Sequence, residues 1–116
     1  MKVKYATIIV CDMEESIAFY KEVLGFEIAS RHEPAQGVVI TLMRSEGEAF
    51  VELIKNSNDA VGLYSIGMEV KDLTTTVKDL IARGAKITMG PVPITVGFLA
   101  FCEDPNGVKI ALIQQT

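Results

Sequence analysis

The chain has 116 residues, a hydrophobic share of 49%, a charged share of 22% and a formal charge of −4. That is enough for one compact domain with a real core and too little for two ordinary ones. No basic run offers a field to phosphates and no apolar run approaches the roughly 18–20 residues that span a bilayer, so nucleic acid and membrane are both excluded as main partners.

Residues 2–10, KVKYATIIV, are apolar and β-rich and read as a first strand. The start is like that of a secretory leader, but the apolar stretch is short, it ends at Asp12, and no small-residue cleavage site follows. The expectation is a strand and a cytoplasmic protein. Asp12 with Glu15 three residues on has the spacing of a capping box, so a helix starts there. Ile17, Phe19, Tyr20, Val23 and Leu24 are its expected buried face, and Gly25 stops it as a left-handed C-terminal residue. Strands are expected at 26–32, 38–44 and 49–55, joined by a turn at PAQG (34–37) and a hairpin at SEGE (45–48). The polar stretch NSNDAVG (56–62) reads as a boundary.

The second half repeats the plan. Residues 64–70 form a strand, Asp72 caps a helix over 73–83 with Leu73, Val77, Leu80 and Ile81 as its buried stripe, and Gly84 ends it. A strand at 85–90, a loop at PVPI (91–94), a strand at 95–103, a tight turn at DPNG (104–107) and a strand at 108–114 complete it. Asp12 to Asp72 is 60 residues, Gly25 to Gly84 is 59, and Gly47 to Gly107 is 60. The chain is thus one domain over 1–116, made of module 1 at about 1–56 and module 2 at about 63–116, each β-α-β-β-β. A unit this small cannot bury both faces of its sheet alone. The expected fold is α+β, two tandem βαβββ modules forming a cup-shaped mixed sheet with the helices outside. A cup suits a small ligand.

The residues VCDMEESIAFYKEVLGFEI (10–28), AFVELI (49–54) and EDPNGVKIALI (103–113) together resemble the vicinal oxygen chelate superfamily, which includes glyoxalase I, extradiol dioxygenases and bleomycin-resistance proteins. The resemblance covers nearly the whole chain and implies the fold; it is weaker for activity, because the fold hosts several chemistries and simple binders. Metal-dependent members of the family hold one divalent ion with four side chains, usually two His and two Glu. Carried onto this sequence, those positions are Tyr5, Glu52, Ser65 and Ala111. Alanine cannot ligate, serine ligates poorly, and a tyrosine ordinarily keeps its proton to about pH 10. The only histidine, His32, falls outside the four positions, at the end of the second expected strand, where a surface or loop-mouth role is the bland reading. The expectation is therefore a protein without the family metal site and with no cofactor.

Strand alternation then gives the inner face. Val3, Tyr5, Thr7 and Ile9 share it, as do Phe50, Glu52 and Ile54; Ser65, Gly67 and Glu69; and Lys109, Ala111 and Ile113. Phe98, Leu99 and Phe101 belong to a strand whose phase is left open. Ligand-contact candidates are Tyr5, Thr7, Phe50, Glu52, Ser65, Gly67 and Phe101. Glu52 is the catalytic candidate, since a carboxylate in a partly dry cleft serves as acid, base or cation receptor. It is equally read as an inherited residue hydrogen-bonded to Tyr5, Thr7 or water. Met43, Met68 and Met89 read as core filler, and Cys11 and Cys102 as reduced structural thiols.

The first expectation is a small-molecule-binding protein of the bleomycin-resistance type, sequestering or carrying an aromatic or cationic organic compound. The alternative is an enzyme of the superfamily, either a metal-free isomerase or lyase with Glu52 as base, or a divergent metal-dependent lyase, dioxygenase or transferase. An accessory or regulatory subunit with no ligand of its own ranks third. The resemblance and the exposed sheet edges also imply a homodimer.

Overall fold

Asp12 is extended and its carboxylate accepts the Glu15 N–H at 3.0 Å, which starts helix α1 at Met13–Ala18. Sixty residues on, Asp72 accepts the Thr75 N–H at 3.1 Å and starts α2 at Leu73–Ala82. Both caps satisfy a backbone donor that the first helical turn would leave unpaired. Gly25 and Gly84 follow the helices with φ of +80° and +100°, a left-handed conformation that side chains resist.

The computed structural model describes residues 1–116 and holds eight strands. These are β1 (Lys2–Ile9), β2 (Glu27–Ala35), β3 (Val38–Arg44), β4 (Phe50–Lys55), β5 (Gly62–Glu69), β6 (Ile87–Ile94), β7 (Gly97–Glu103) and β8 (Lys109–Gln115). The chain divides into two compact units, Tyr5–Tyr64 as the first, and Ser65–Thr116 with Met1–Lys4 as the second.

In the first unit the strands run in the order β2-β3-β4-β1, with β1 parallel to β4 and the other pairs antiparallel. Alternation divides this sheet by face. Val10, Met13, Ile17, Met43 and Leu53 are buried between sheet and helix, with Ile8, Tyr20, Phe26, Val39 and Val51 packed around them. Each fully buried aliphatic side chain of this kind stabilises by about 1.5–3 kcal/mol. In the second unit the order is β5-β8-β7-β6, again with one parallel pair, β5 with β8. Its core joins Val70, Leu73, Val77, Ala100, Cys102 and Leu112. The side-chain oxygen of Gln114 accepts the Leu73 N–H at 2.7 Å and ties the start of α2 to β8.

Six expectations need correction. Phe19, Val23 and Leu24 are exposed, not buried. After Ala18 the helix widens into a π-helical turn over Phe19–Val23, with the Leu24 N–H reaching back five residues to the Phe19 carbonyl. The wider turn rotates Leu24 off the stripe that Met13, Ile17 and Tyr20 continue. Ile81 is exposed as well, because it stands at the edge of the narrow stripe set by Leu73, Val77 and Leu80.

PVPI is strand rather than loop, the second half of β6. Strand β6 ends its unit's strand order, and an edge strand tolerates prolines because their missing N–H faces no neighbour. A bulge between Met89 and Val92 accommodates the change of register. The turn expected across 34–37 is only Gln36 and Gly37, closed by the pair Ala35 and Val38. Residues 95 and 96 are a turn before β7. Met89 is 36% exposed and is not core, whereas Met43 is wholly buried.

No helix is long and apolar enough to cross a membrane. Cys11 is exposed and Cys102 buried, both as free thiols, and burial pushes the Cys102 thiol pKa up.

Candidate functional site

The face of the first unit turned away from α1 is built by three rows of cross-strand neighbours. Tyr5 on β1 stands beside Phe50 on β4, which stands beside Arg44 on β3. The next row runs Thr7, Glu52, Leu42 and Ser30, and the third runs Ile9, Ile54, Ile40 and His32. Residues paired across adjacent strands point to the same face, which is why the β4 sequence Phe-Val-Glu-Leu-Ile-Lys sends Glu52 here and Val51 and Leu53 into the core.

Glu52 is the central charge of this face. The Thr7 hydroxyl donates to Glu52 Oε1 at 2.7 Å, and Thr7 is itself 3% exposed. A short, buried donor fixes one oxygen of the carboxylate and leaves the other available. Tyr5 lies diagonally across, and its phenol pKa is pushed up to about 12, first by burial and then by the negative charge of Glu52. The phenol therefore keeps its proton throughout the neutral range and can only donate or accept as a neutral group. Four of the residues singled out in the sequence, Tyr5, Thr7, Phe50 and Glu52, are thus neighbours on one face.

His32 was placed outside the site by sequence; it lies within β2 on the same face as Glu52. The second strand runs to Ala35 rather than ending at residue 32, and a bulge between Ile28 and Ser30 sets the phase that brings His32 round. Arg44 was missed altogether. Its signal was available in the β3 alternation: Val39, Thr41 and Met43 point to the helix, so Ile40, Leu42 and Arg44 do not.

The second unit has its own helix-averted face. Gly67, Ala111, Phe101 and Met89 form one row, and Ser65 pairs with Lys109. This settles the phase left open for β7: Leu99 and Phe101 share this face, while Ala100 and Cys102 enter the core. The repeat makes the contrast between units specific. Thr7 and Glu52 pair in register on the parallel strands of the first unit, and Gly67 and Ala111 pair in the same place in the second. A hydrogen-bonded polar pair in one unit is matched by two small residues in the other.

The donor set does not fit a divalent metal of the family type. On the first unit Tyr5 and Glu52 offer one phenol and one carboxylate; on the second Ser65 offers a buried hydroxyl and Ala111 offers nothing. No group of three or more His, Cys, Asp or Glu is arranged to hold an ion.

Each unit also carries a surface cavity where a strand gives way to a helix. One of about 620 Å³ is lined by Cys11, Asp12, Glu15, Phe19, Tyr20 and Val61, and one of about 890 Å³ by Lys2, Glu69, Lys71, Asp72, Thr75 and Gln115. Neither is lined by Tyr5, Thr7 or Glu52. In the second cavity Glu69 already pairs with Lys2 at 3.7 Å and with Lys4 at 3.8 Å.

The comparisons agree with the fold. A model of the Glyoxalase/Bleomycin resistance protein/Dioxygenase superfamily matches residues 2–112, and the chain belongs to that superfamily. It is 29% identical to a lactoylglutathione lyase of Haemophilus influenzae over 98% of this chain and 93% of that protein. It is 31% identical to a probable lactoylglutathione lyase of Vibrio cholerae over 89% of this chain and 83% of that one. Among solved structures, a hypothetical protein from Bacillus halodurans superposes with a TM-score of 0.86 at 21% identity, covering 99% of this chain and 94% of that chain. A methylmalonyl-CoA epimerase from Mycobacterium tuberculosis superposes at 0.83 with 19% identity, covering 99% and 88%. The α+β class read from the repeat is the class these structures share.

Proposed function

We propose that the protein is an enzyme that moves a proton at a carbon next to a thioester carbonyl or its equivalent, with Glu52 as the acid–base group. The observation that carries the reading is Glu52 itself, the carboxylate at the centre of its face, held through one oxygen by Thr7 at 2.7 Å. The relatives named above support an enzyme over a carrier. Lactoylglutathione and methylmalonyl-CoA are both thioesters of small acids with a hydrogen on carbon 2, and these lend the substrate class. Nothing comparable supports the sequestration of an aromatic compound.

The chemistry needs only residues of this chain. The free oxygen of Glu52 takes the proton from carbon 2. The C–H electron pair forms the carbon–carbon double bond of an enolate, and the carbonyl π pair moves onto oxygen. A neutral phenol beside the base donates a hydrogen bond to that oxygen, the role Tyr5 is suited to because its proton is held up to about pH 12. Return of the proton to carbon completes an exchange or isomerisation. No step passes through a metal, since the donor set offers none a place. Ser65, Gly67 and Phe101 are proposed as ligand contacts on the second unit's own face. A cytoplasmic location and pairing into a homodimer also belong to this proposal.

The test is turnover. Purified protein is assayed for conversion of methylglyoxal with glutathione to lactoylglutathione and for epimerisation of methylmalonyl-CoA. Either activity should fall about 100-fold or more in Glu52→Gln, the range ascribed to a positioned acid or base. Activity that survives the substitution, or compounds that bind and are returned unchanged, would move the reading back to a carrier.

A further inference from the structure

We propose that Arg44 is the anion anchor of this site and that the substrate carries a carboxylate near its reacting carbon. The inference rests on the acid–base reading of Glu52 and extends it to the identity of the substrate. Arg44 ends β3 on the same face as Glu52, with Phe50 directly across from it and Tyr5 beyond Phe50. Adjacent strands stand about 4.8 Å apart and alternate residues about 6.8 Å apart, so the Arg44 and Glu52 backbones are about 8 Å apart on the diagonal. An arginine side chain spans much of that distance.

The guanidinium is uncommitted. Arg31 of the neighbouring strand is paired with Glu14 on the opposite face, whereas Arg44 makes no ion pair, although Glu27 stands across from it on β2. Within the first unit, Lys55 and Arg31 take the phase of the helix side. Arg44 and His32 are therefore the only basic residues on the helix-averted face. His32 lies two strands from Glu52, too far to act on the same carbon. Arg44 stands at the end of an aromatic row, where a guanidinium fork can take a carboxylate while the acyl chain lies over Phe50 and Tyr5. The chain as a whole is anionic, with a formal charge of −4, so a site for an anionic acyl group needs such a local cation.

The experiment uses two near-isosteric probes, the N-acetylcysteamine thioesters of methylmalonate and of isobutyrate, which differ in one carboxylate. Binding is measured by calorimetry on the full chain carrying Glu52→Gln, so that nothing turns over. The carboxylate probe should bind about tenfold or more tightly than the neutral one. Adding Arg44→Leu should abolish that preference, and Arg44→Lys should restore part of it. Equal binding of the two probes, binding of neither, or a preference that survives Arg44→Leu overturns the anchor. The acid–base reading fails separately: there the preference would follow Arg44 while deuterium exchange at carbon 2 proved indifferent to Glu52.

Discussion

The Thr7 hydroxyl donates to Glu52 Oε1 at 2.7 Å across two parallel strands, and this contact orients the only carboxylate at the centre of its face. The threonine is buried and the acid half-buried, so the hydrogen bond is sheltered from competing water. Thr7→Val keeps shape and removes the donor. The expected outcome is a fall in kcat of about tenfold with KM little changed, because the base is still present but no longer aimed. Thr7→Ser, which keeps the hydroxyl, should recover most of the loss. Steady-state kinetics on the three proteins checks this; equal kcat values would show that the contact is structural only.

Tyr5 gives a prediction in alkali. Burial and the charge of Glu52 raise its folded pKa from 10.0 to about 12. A raised pKa means the folded state holds the proton more tightly than the unfolded chain does. The associated stability is full below the unfolded value and is lost as pH climbs from about 10 towards about 12. Urea unfolding at pH 8, 10 and 11 should show a decline that is smaller in Tyr5→Phe. An identical decline in both proteins would assign the effect to other groups.

Thr41 is wholly buried and its hydroxyl has no hydrogen-bond partner. It faces α1 between Val39 and Met43, opposite Leu53. A desolvated, unpaired hydroxyl costs stability that a methyl of the same shape does not. Thr41→Val should raise the free energy of unfolding by about 1 kcal/mol, read from the denaturant midpoint at unchanged slope. A lowered midpoint would mean the hydroxyl is satisfied in solution.

With one phenol, one carboxylate, one serine and one alanine at the positions that the family resemblance implies for metal ligands, zinc, nickel, manganese, cobalt and iron(II) should leave the thermal midpoint where EDTA leaves it. A saturable rise with one ion would show that other residues of the chain supply ligands.

Much of the site was legible because strand alternation is a strict period of two. The family resemblance puts Tyr5 and Glu52 on the inner face, alternation adds Thr7 and Phe50, the two aspartate caps fix where each repeat begins, and the register between the strands comes from the structure. What was not legible depended on departures from regular geometry. The π-helical turn at Phe19–Val23 changes which apolar residues are buried without any mark in the residue types. The prolines of PVPI read as loop because nothing in the sequence says that β6 has a free edge. The bulge between Ile28 and Ser30 shifts the phase of β2, and only the register reveals that His32 joins the face of Glu52. Arg44 was overlooked for a simpler reason: as the last residue before a turn it reads as a solubilising end, and its place beside Phe50 is a matter of pairing.

The most direct measurement of the central claim is hydrogen exchange at carbon 2. The methylmalonyl thioester is incubated in heavy water with the wild-type chain and with Glu52→Gln, and the carbon-2 proton is followed by NMR against the uncatalysed rate. Glu52 acting as base predicts exchange well above background with the wild type and about 100-fold slower exchange with the variant. Exchange at the background rate with the wild type, or at the same accelerated rate with both proteins, would contradict it.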